Sequence, residues 1–248
     1  MIVLDVAPGI DRVEHASTSC YLVRDETGAV LVDAGLPGAR RQVADLMERR
    51  GLAWSALAAV VLTHGHFDHL GLAHEAACRH HVPIWVHHAD ARIVRHPYHY
   101  VPGRARALYP LTRPRSWRHL GAMTGAGALR VRGVPIPATF GDDAGALDLP
   151  GRPGVVPTPG HTDGHVALHL PERDVVLTGD ALVTLDPYTG RRGPRIVARA
   201  GTHDAPTAVA SLEAIAATRA GTVLPGHGEL YDQGARDAAR LAASAGVP

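Results

Sequence analysis

The sequence predicts an α/β fold with two sheets and helices on their outer faces. Three features lead there. Short strand-like apolar runs alternate with helical patterns in both halves of the chain. The run 58–62 is apolar at every position, as a strand buried on both faces requires. Residues able to bind metal stand in glycine-bearing loops directly after several of these runs.

In chain order, 2–6, 19–24 and 29–33 read as strands, with turn residues Asp25-Glu26-Thr27-Gly28 between the last two. Residues 38–50 carry a helical pattern that Gly51 can end. Strand 58–62 leads to a helix over 68–81, with Asp68 in its first turn, and 83–87 resumes as strand. Residues 88–133 lose periodicity and gather Pro, Arg, His and aromatics, so they read as an insertion of short helices and loops. Strands follow at 155–158, 165–170 and 175–178, then helix 206–219, strand 222–224 and a closing helix 233–245. No repeat or interdomain linker interrupts the pattern, and 1–248 reads as a single domain.

Composition narrows the class. At 248 residues, 46% hydrophobic and 20% charged, the chain is an ordinary globular protein rather than a disordered one. No run approaches the roughly 18 apolar residues of a membrane span, and Asp5 interrupts the first apolar stretch, which also lacks a basic leader. The expectation is a cytoplasmic protein with no membrane partner. Cys20 and Cys78 are too few and too far apart for a disulfide framework and are read as inert. All 25 basic residues are Arg, which with the Ala bias fits a GC-rich genome. Nine of them fall between Asp90 and Phe140, against the single acid Asp90, so a basic segment sits on an acidic body.

The 17 histidines cluster where chemistry would need them. Thr63-His64-Gly65-His66-Phe67-Asp68-His69, directly after strand 58–62, packs four metal-ligand side chains into six residues. A chance match at this chain's own His and Asp frequencies is expected far less than once. Gly65 removes a side chain where the loop must fold tightly. Three more segments place one ligand each in a glycine-bearing loop: Thr158-Pro159-Gly160-His161, Thr178-Gly179-Asp180 and Pro225-Gly226-His227-Gly228.

In these motifs and their order the chain resembles the metallo-β-lactamase superfamily, from Val30-Leu31-Val32-Asp33-Ala34-Gly35 to Gly226-His227-Gly228. The resemblance implies a four-layer αββα sandwich with the site at one edge. It implies that His64, His66 and His161 hold one metal, that Asp68, His69 and His227 hold a second, and that Asp180 bridges them. Seven nitrogen and oxygen ligands without a thiolate suit two divalent ions, zinc first, with iron or manganese as alternatives. Such a pair would generate a bridging hydroxide at neutral pH for attack on a carbonyl or phosphoryl centre. Asp68 and Asp180 are the candidate catalytic carboxylates, Asp68 steering the nucleophile or carrying a proton.

Departures from known branches narrow the choice further. Asp180 argues against a true β-lactamase, which lacks this aspartate. Acyl-homoserine lactonases usually place Tyr three residues after it, where this chain has Val183; its nearest tyrosine there is Tyr188. Persulfide dioxygenases share the wording around His161 but use one iron. The expected reaction is hydrolysis of a small ester, thioester or lactone. A phosphodiesterase on the same metals and a mononuclear-iron persulfide dioxygenase are the alternatives.

The insertion 90–133 is the candidate substrate lid, with Tyr98, Tyr100, Arg113, Arg115 and Trp117 offering an apolar body and an anionic group their contacts. A solvated basic loop with its own small core is the competing reading. The partner is therefore a small molecule, with a nucleic acid ranked lower because one segment rather than a whole face carries the charge. Oligomeric state is open. Tyr188, within 186–195, is expected on another wall of the pocket. Asp33 is expected either to orient a ligand histidine or to stabilise a turn. His165 reads as a packing or orienting residue. His74, His80, His81, His87 and His88 read as packed or solvated.

Overall fold

Strands whose apolar side chains are buried on both faces build two sheets packed face to face. The computed structural model describes residues 1–101, 103 and 116–248. The first sheet holds β1 (Ile2–Ala7), β2 (Ile10–His15), β3 (Thr18–Asp25), β4 (Gly28–Val32), β5 (Leu57–Val61), β6 (Ile84–His87) and β7 (Ala138–Phe140), in that spatial order. Its first four strands pair antiparallel and the rest parallel. The second sheet contains β8 (Gly154–Pro157), β9 (Val166–Leu170), β10 (Val175–Gly179) and β13 (Thr222–Pro225), in the order β13-β10-β9-β8. β11 (Val183–Leu185) and β12 (Arg192–Arg195) form a separate antiparallel pair.

The period-two pattern of the strands decides which faces meet. Tyr21, Val23, Val30, Val32, Ala59 and Val61 pack against Val166, Leu168, Leu170, Val175, Leu177 and Leu224 from the other sheet. The intervening residues Leu22, Leu31, Val60 and Leu62 turn outward onto Val43, Leu46 and Met47 of α1 (Arg40–Arg49) and Ala73 and Ala76 of α2 (Ala73–His80). Two short helices follow: α3 (Ala91–Arg95) and α4 (Ser116–Gly125). On the far side, Ala167, Val176 and Val223 face α5 (Ala205–Ala217) and α6 (Ala235–Ala245). The result is the four-layer αββα sandwich.

Parallel pairing then sets the position of the site. The parallel pairs β4·β5, β5·β6 and β10·β13 deliver their C-terminal ends to one edge, and β8, antiparallel to β9, runs in the same direction as β10. Asp33, Thr63, Thr158, Asp180 and Gly226 follow those ends. The two sheets are stitched together there by Val166 N–H to the Thr63 carbonyl (2.9 Å) and Ser19 N–H to the Gly226 carbonyl (2.8 Å). Ligands of open α/β sheets sit outside such strand ends.

Several elements differ from expectation. The helix expected over 68–81 begins only at Ala73, because the preceding backbone bonds to the extension of β4 instead: Ala34 N–H to the His69 carbonyl (2.7 Å) and Gly71 N–H to the Gly35 carbonyl (2.6 Å). Asp68 therefore lies in a loop rather than in the first turn of a helix. Strand β2 escapes sequence reading because Asp11 and Arg12 are both buried within it. Asp11 bonds the guanidinium groups of Arg24 and Arg50, and Arg12 reaches Glu14, Glu229 and Ser19. Those bonds hold the Asp11 carboxyl below its usual range although burial alone would raise it. Residues 186–195 close the β11–β12 pair, and none of them is among the lining residues of the pocket described below. Among the described residues no helix is long and apolar enough to cross a membrane.

Candidate metal centre

The tight loop after β5 brings its ligands together because its neighbours leave room only for glycine. A Cβ on Gly65 would lie 2.9 Å from Ile93 Cβ. At Gly226, any Cβ would overlap Asp180 Oδ1 and His69 Cε1, so the backbone itself passes against the site. Three overlapping groups of ligand atoms result: His64, His66 and His161; His64, His69 and Asp180; Asp68, His69 and His227. Within each group the atoms lie within 4.8 Å of one another, and all seven residues are buried. His66 Nδ1 is 2.9 Å from His161 Nε2. Asp180 Oδ2 is 3.1 Å from His227 Nε2 and 3.5 Å from His161 Nε2, so this carboxylate stands between the outer groups. Asp68 Oδ2 is 3.3 Å from His227 Nε2.

The donor chemistry fits metal ions. His64 Nε2, His69 Nε2 and Asp180 Oδ1 are buried with no hydrogen-bond partner among the described residues, an arrangement that costs free energy unless a cation completes it.

Outside the ligands, the partner of each second ring nitrogen fixes which nitrogen faces the site. His69 Nδ1 donates to Asp33 Oδ2 (2.9 Å), and His227 Nδ1 donates to the Ser17 carbonyl (2.7 Å). Thr63 Oγ1 donates to Asp33 Oδ2 (2.9 Å) and so accepts from His64 Nδ1 (3.0 Å). Thr202 Oγ1 donates to the Val197 carbonyl (2.7 Å), leaving it to accept from His161 Nδ1 at 3.4 Å. Every one of these four rings thus points Nε2 inward. Asp33 does both of the things expected of it as alternatives: it orients His69 while sitting at φ +58°, a turn conformation.

Electrostatics follows from burial and from the carboxylates. Burial drives His64 and His165 well below the usual imidazole range and brings His161 down to about 4. Burial would also lower His227, but Asp180 and Asp68 outweigh it and raise the ring to about 10. Neutral His165 is not among the ligand groups. Its Nε2 accepts the Asp180 N–H (3.0 Å) and its Nδ1 bonds Thr158 Oγ1 (2.8 Å), so it fixes the backbone that carries the central carboxylate.

One residue of the site was not singled out from sequence. Asp90 is fully buried; it accepts Gly65 N–H (2.8 Å), Gly164 N–H (2.8 Å) and Thr162 Oγ1–H (2.7 Å), tying the loop after β5 to the loop bearing His161. The available signal was its isolation, as the one acid among nine arginines.

A pocket of about 290 Å³ opens onto His66 and His161 and is walled by Arg92, His99, Tyr100, Val101 and Asp163. The Tyr100 ring lies 4.0 Å from that of His66. Residues 101 and 103 are tied to the opposite wall through His203 Nδ1–H to the Val101 carbonyl (2.9 Å) and Gly103 N–H to the Thr202 carbonyl (3.1 Å). Of the other expected contact residues, Tyr98 bonds the Ala128 carbonyl and the Val131 N–H through its hydroxyl, which ties the insertion together away from the pocket. Trp117 is exposed on α4, outside the pocket lining. Tyr188 packs on Ala198 and Ala200 and lies beside Gly201, where a Cβ would be 2.9 Å from its ring and 3.5 Å from His161 Cε1. Arg113 and Arg115 lie outside the described residues.

Comparison with known proteins agrees with this architecture. The chain is 27% identical over 188 residues to the probable metallo-hydrolase YflN of Bacillus subtilis, covering 73% of this chain and 67% of that protein. It is 30% identical over 172 residues to the protein Rv2581c of Mycobacterium tuberculosis, covering 66% and 67%. Among solved structures, the metallo-beta-lactamase family protein TTHA1429 from Thermus thermophilus superposes with a TM-score of 0.69 at 24% identity, over 96% of this chain and 79% of that one. The di-iron-bound form of TTHA1623 gives 0.63 at 24% identity, over 90% and 93%. The profile of the metallo-beta-lactamase superfamily matches residues 14–227, and it is to this superfamily that the chain belongs.

Proposed function

We propose that the protein is a dinuclear metal hydrolase of a small ester, thioester or lactone. The observation that carries this reading is the convergence of seven buried nitrogen and oxygen ligands, three of them with orphaned atoms, at the mouth of a pocket of about 290 Å³. His64, His66 and His161 would hold one ion; Asp68, His69 and His227 would hold the other; Asp180 would serve both. The di-iron form of the TTHA1623 relative supports a pair of ions without choosing the metal. Bound metals would supply Lewis acidity for the scissile carbonyl and bring a water within reach of deprotonation near neutral pH.

The chain's own residues supply the rest. Asp68 would hold the proton lost by the attacking water and return it to the departing alkoxide or thiolate. Tyr100 and Ile93 would offer the acyl group an apolar wall, with Val101 beside them. A volume near the lower end of small-ligand sites favours a compact substrate over a nucleic-acid strand. Arg92, with no ion pair among the described residues, is the pocket's arginine for a substrate carboxylate.

Steady-state hydrolysis of a panel of thioesters, lactones, esters and an aryl phosphodiester tests this. Carbonyl substrates should be turned over fastest, and Arg92→Ala should raise KM about tenfold for carboxylate-bearing members only. Turnover confined to the phosphodiester, or oxygen consumption with a persulfide, would replace the proposal.

A further inference from the structure

The arginines of the insertion do not all belong to the metal pocket. A second concavity of about 410 Å³ lies on the outer layer, between the start of α1, the exposed side of α2 and the segment after α4. It shares no lining residue with the pocket over His66 and His161. Four guanidinium groups border it: Arg40, Arg79, Arg130 and Arg132. Glu75 is the one acid among its described lining residues, and it pairs with Arg40 at 2.6 Å and Arg79 at 3.5 Å. Arg130 and Arg132 are exposed and make no ion pair among the described residues. Among the described residues the one aromatic ring lining the groove is the imidazole of His74, whose Nδ1 is spent on the Gly133 carbonyl at 2.8 Å.

We propose that this groove is a second ligand site, which takes a small phosphate-bearing molecule by its phosphate groups. Four arginines around one concavity, offset by a single carboxylate, leave three positive charges in excess, and a multiply charged anion relieves their repulsion. The guanidinium fork matches phosphate oxygens two at a time. The volume is that of a small-ligand site rather than of an extended strand. With no ring for a base to stack on, the groove recognises the phosphates and not what they are attached to.

Cys78 lines the same groove and is exposed, whereas Cys20 is buried with its thiol pushed up to about 12 by burial and the nearby Asp33. Alkylation by iodoacetamide therefore reports on this groove through one residue. In the full-length protein, inorganic pyrophosphate should slow Cys78 alkylation saturably, at lower concentration than inorganic phosphate, and less so as salt is added. The double variant Arg130→Glu/Arg132→Glu, whose side chains support no other part of the fold, should weaken this protection at least about tenfold while leaving hydrolysis by the metal-loaded enzyme unchanged. Thermal unfolding of the variant checks that it is folded, and Arg130→Gln/Arg132→Gln should show an intermediate loss. Absence of protection, or equal protection in the variants, overturns the proposal and leaves a solvated basic face. Hydrolysis lost in Arg130→Glu/Arg132→Glu would overturn the separation of the two sites.

Discussion

Replacing Asp180 by Ala is expected to abolish turnover, lowering kcat by at least about 10³-fold, since loss of metal-borne transition-state stabilisation costs several kcal/mol and each decade is about 1.4 kcal/mol. This carboxylate stands between the two outer ligand groups: its Oδ2 faces both His161 and His227 at 3.5 and 3.1 Å, and its Oδ1 faces His69 at 3.4 Å. Removing it takes from His69 and His227 the largest of the carboxylate charges that raise their rings above the usual imidazole range, leaving Asp68 beside both and Asp33 beside His69. The fold should survive, because the bond that anchors this position to His165 is made by the Asp180 backbone N–H and persists in the variant. Asp180→Asn separates charge from volume and should be almost as inactive. The check is kcat on the best carbonyl substrate alongside metal content and circular dichroism of the same preparation. A variant that retains both ions and its turnover would contradict the role assigned to Asp180.

A smaller change one layer out should act through the metals rather than through the chemistry. Asp33→Asn is expected to weaken metal affinity about 10- to 100-fold, the usual cost of disturbing a ligand's supporting hydrogen bond. Asp33 accepts from His69 Nδ1 and from both the N–H and the hydroxyl of Thr63, whose hydroxyl in turn accepts from His64. One carboxylate thus orients a ligand in each of two overlapping groups. Asparagine tolerates the left-handed conformation at φ +58°, so the loss isolates the charge from backbone strain. Chelator competition measures the affinity, and at saturating metal kcat should return towards the parent value. Unchanged affinity would show that His69 and His64 need no support from Asp33; a kcat that stays low at full loading would place Asp33 in the reaction itself.

These two residues illustrate what the sequence makes visible. The ligands are legible because geometry forces them into local signatures: four within six residues after an apolar strand, and three single residues in glycine-bearing loops at strand ends. The parallel strands at the centre of the sheet are covered on both faces, which is why 58–62, like the neighbouring Gly28–Val32, lacks polar residues. β2 was hidden because its buried Asp11 and Arg12 find partners that are far away in sequence, the Arg12 partner Glu229 lying near the other end of the chain. The late start of α2 was hidden because the backbone of residues 69–72 is spent on β4, a tertiary bond that overrides local helix preference.

The insertion was the least legible region, for a related reason. Without periodicity, charge alone does not say which way a side chain is carried. Arg92 falls beside the metal pocket, whereas Arg130 and Arg132 fall on the opposite groove with Arg40 and Arg79. Tyr98 and Tyr100, two residues apart and alike in the sequence, divide between holding the insertion together and covering His66.

Whether one cluster serves two ions is decided by counting them. Elemental mass spectrometry on protein purified natively, with no metal added, should find two ions per chain. The Asp180→Ala protein should fall below that value. One ion per chain in the parent protein, unchanged after adding zinc, iron or manganese, would contradict the dinuclear account.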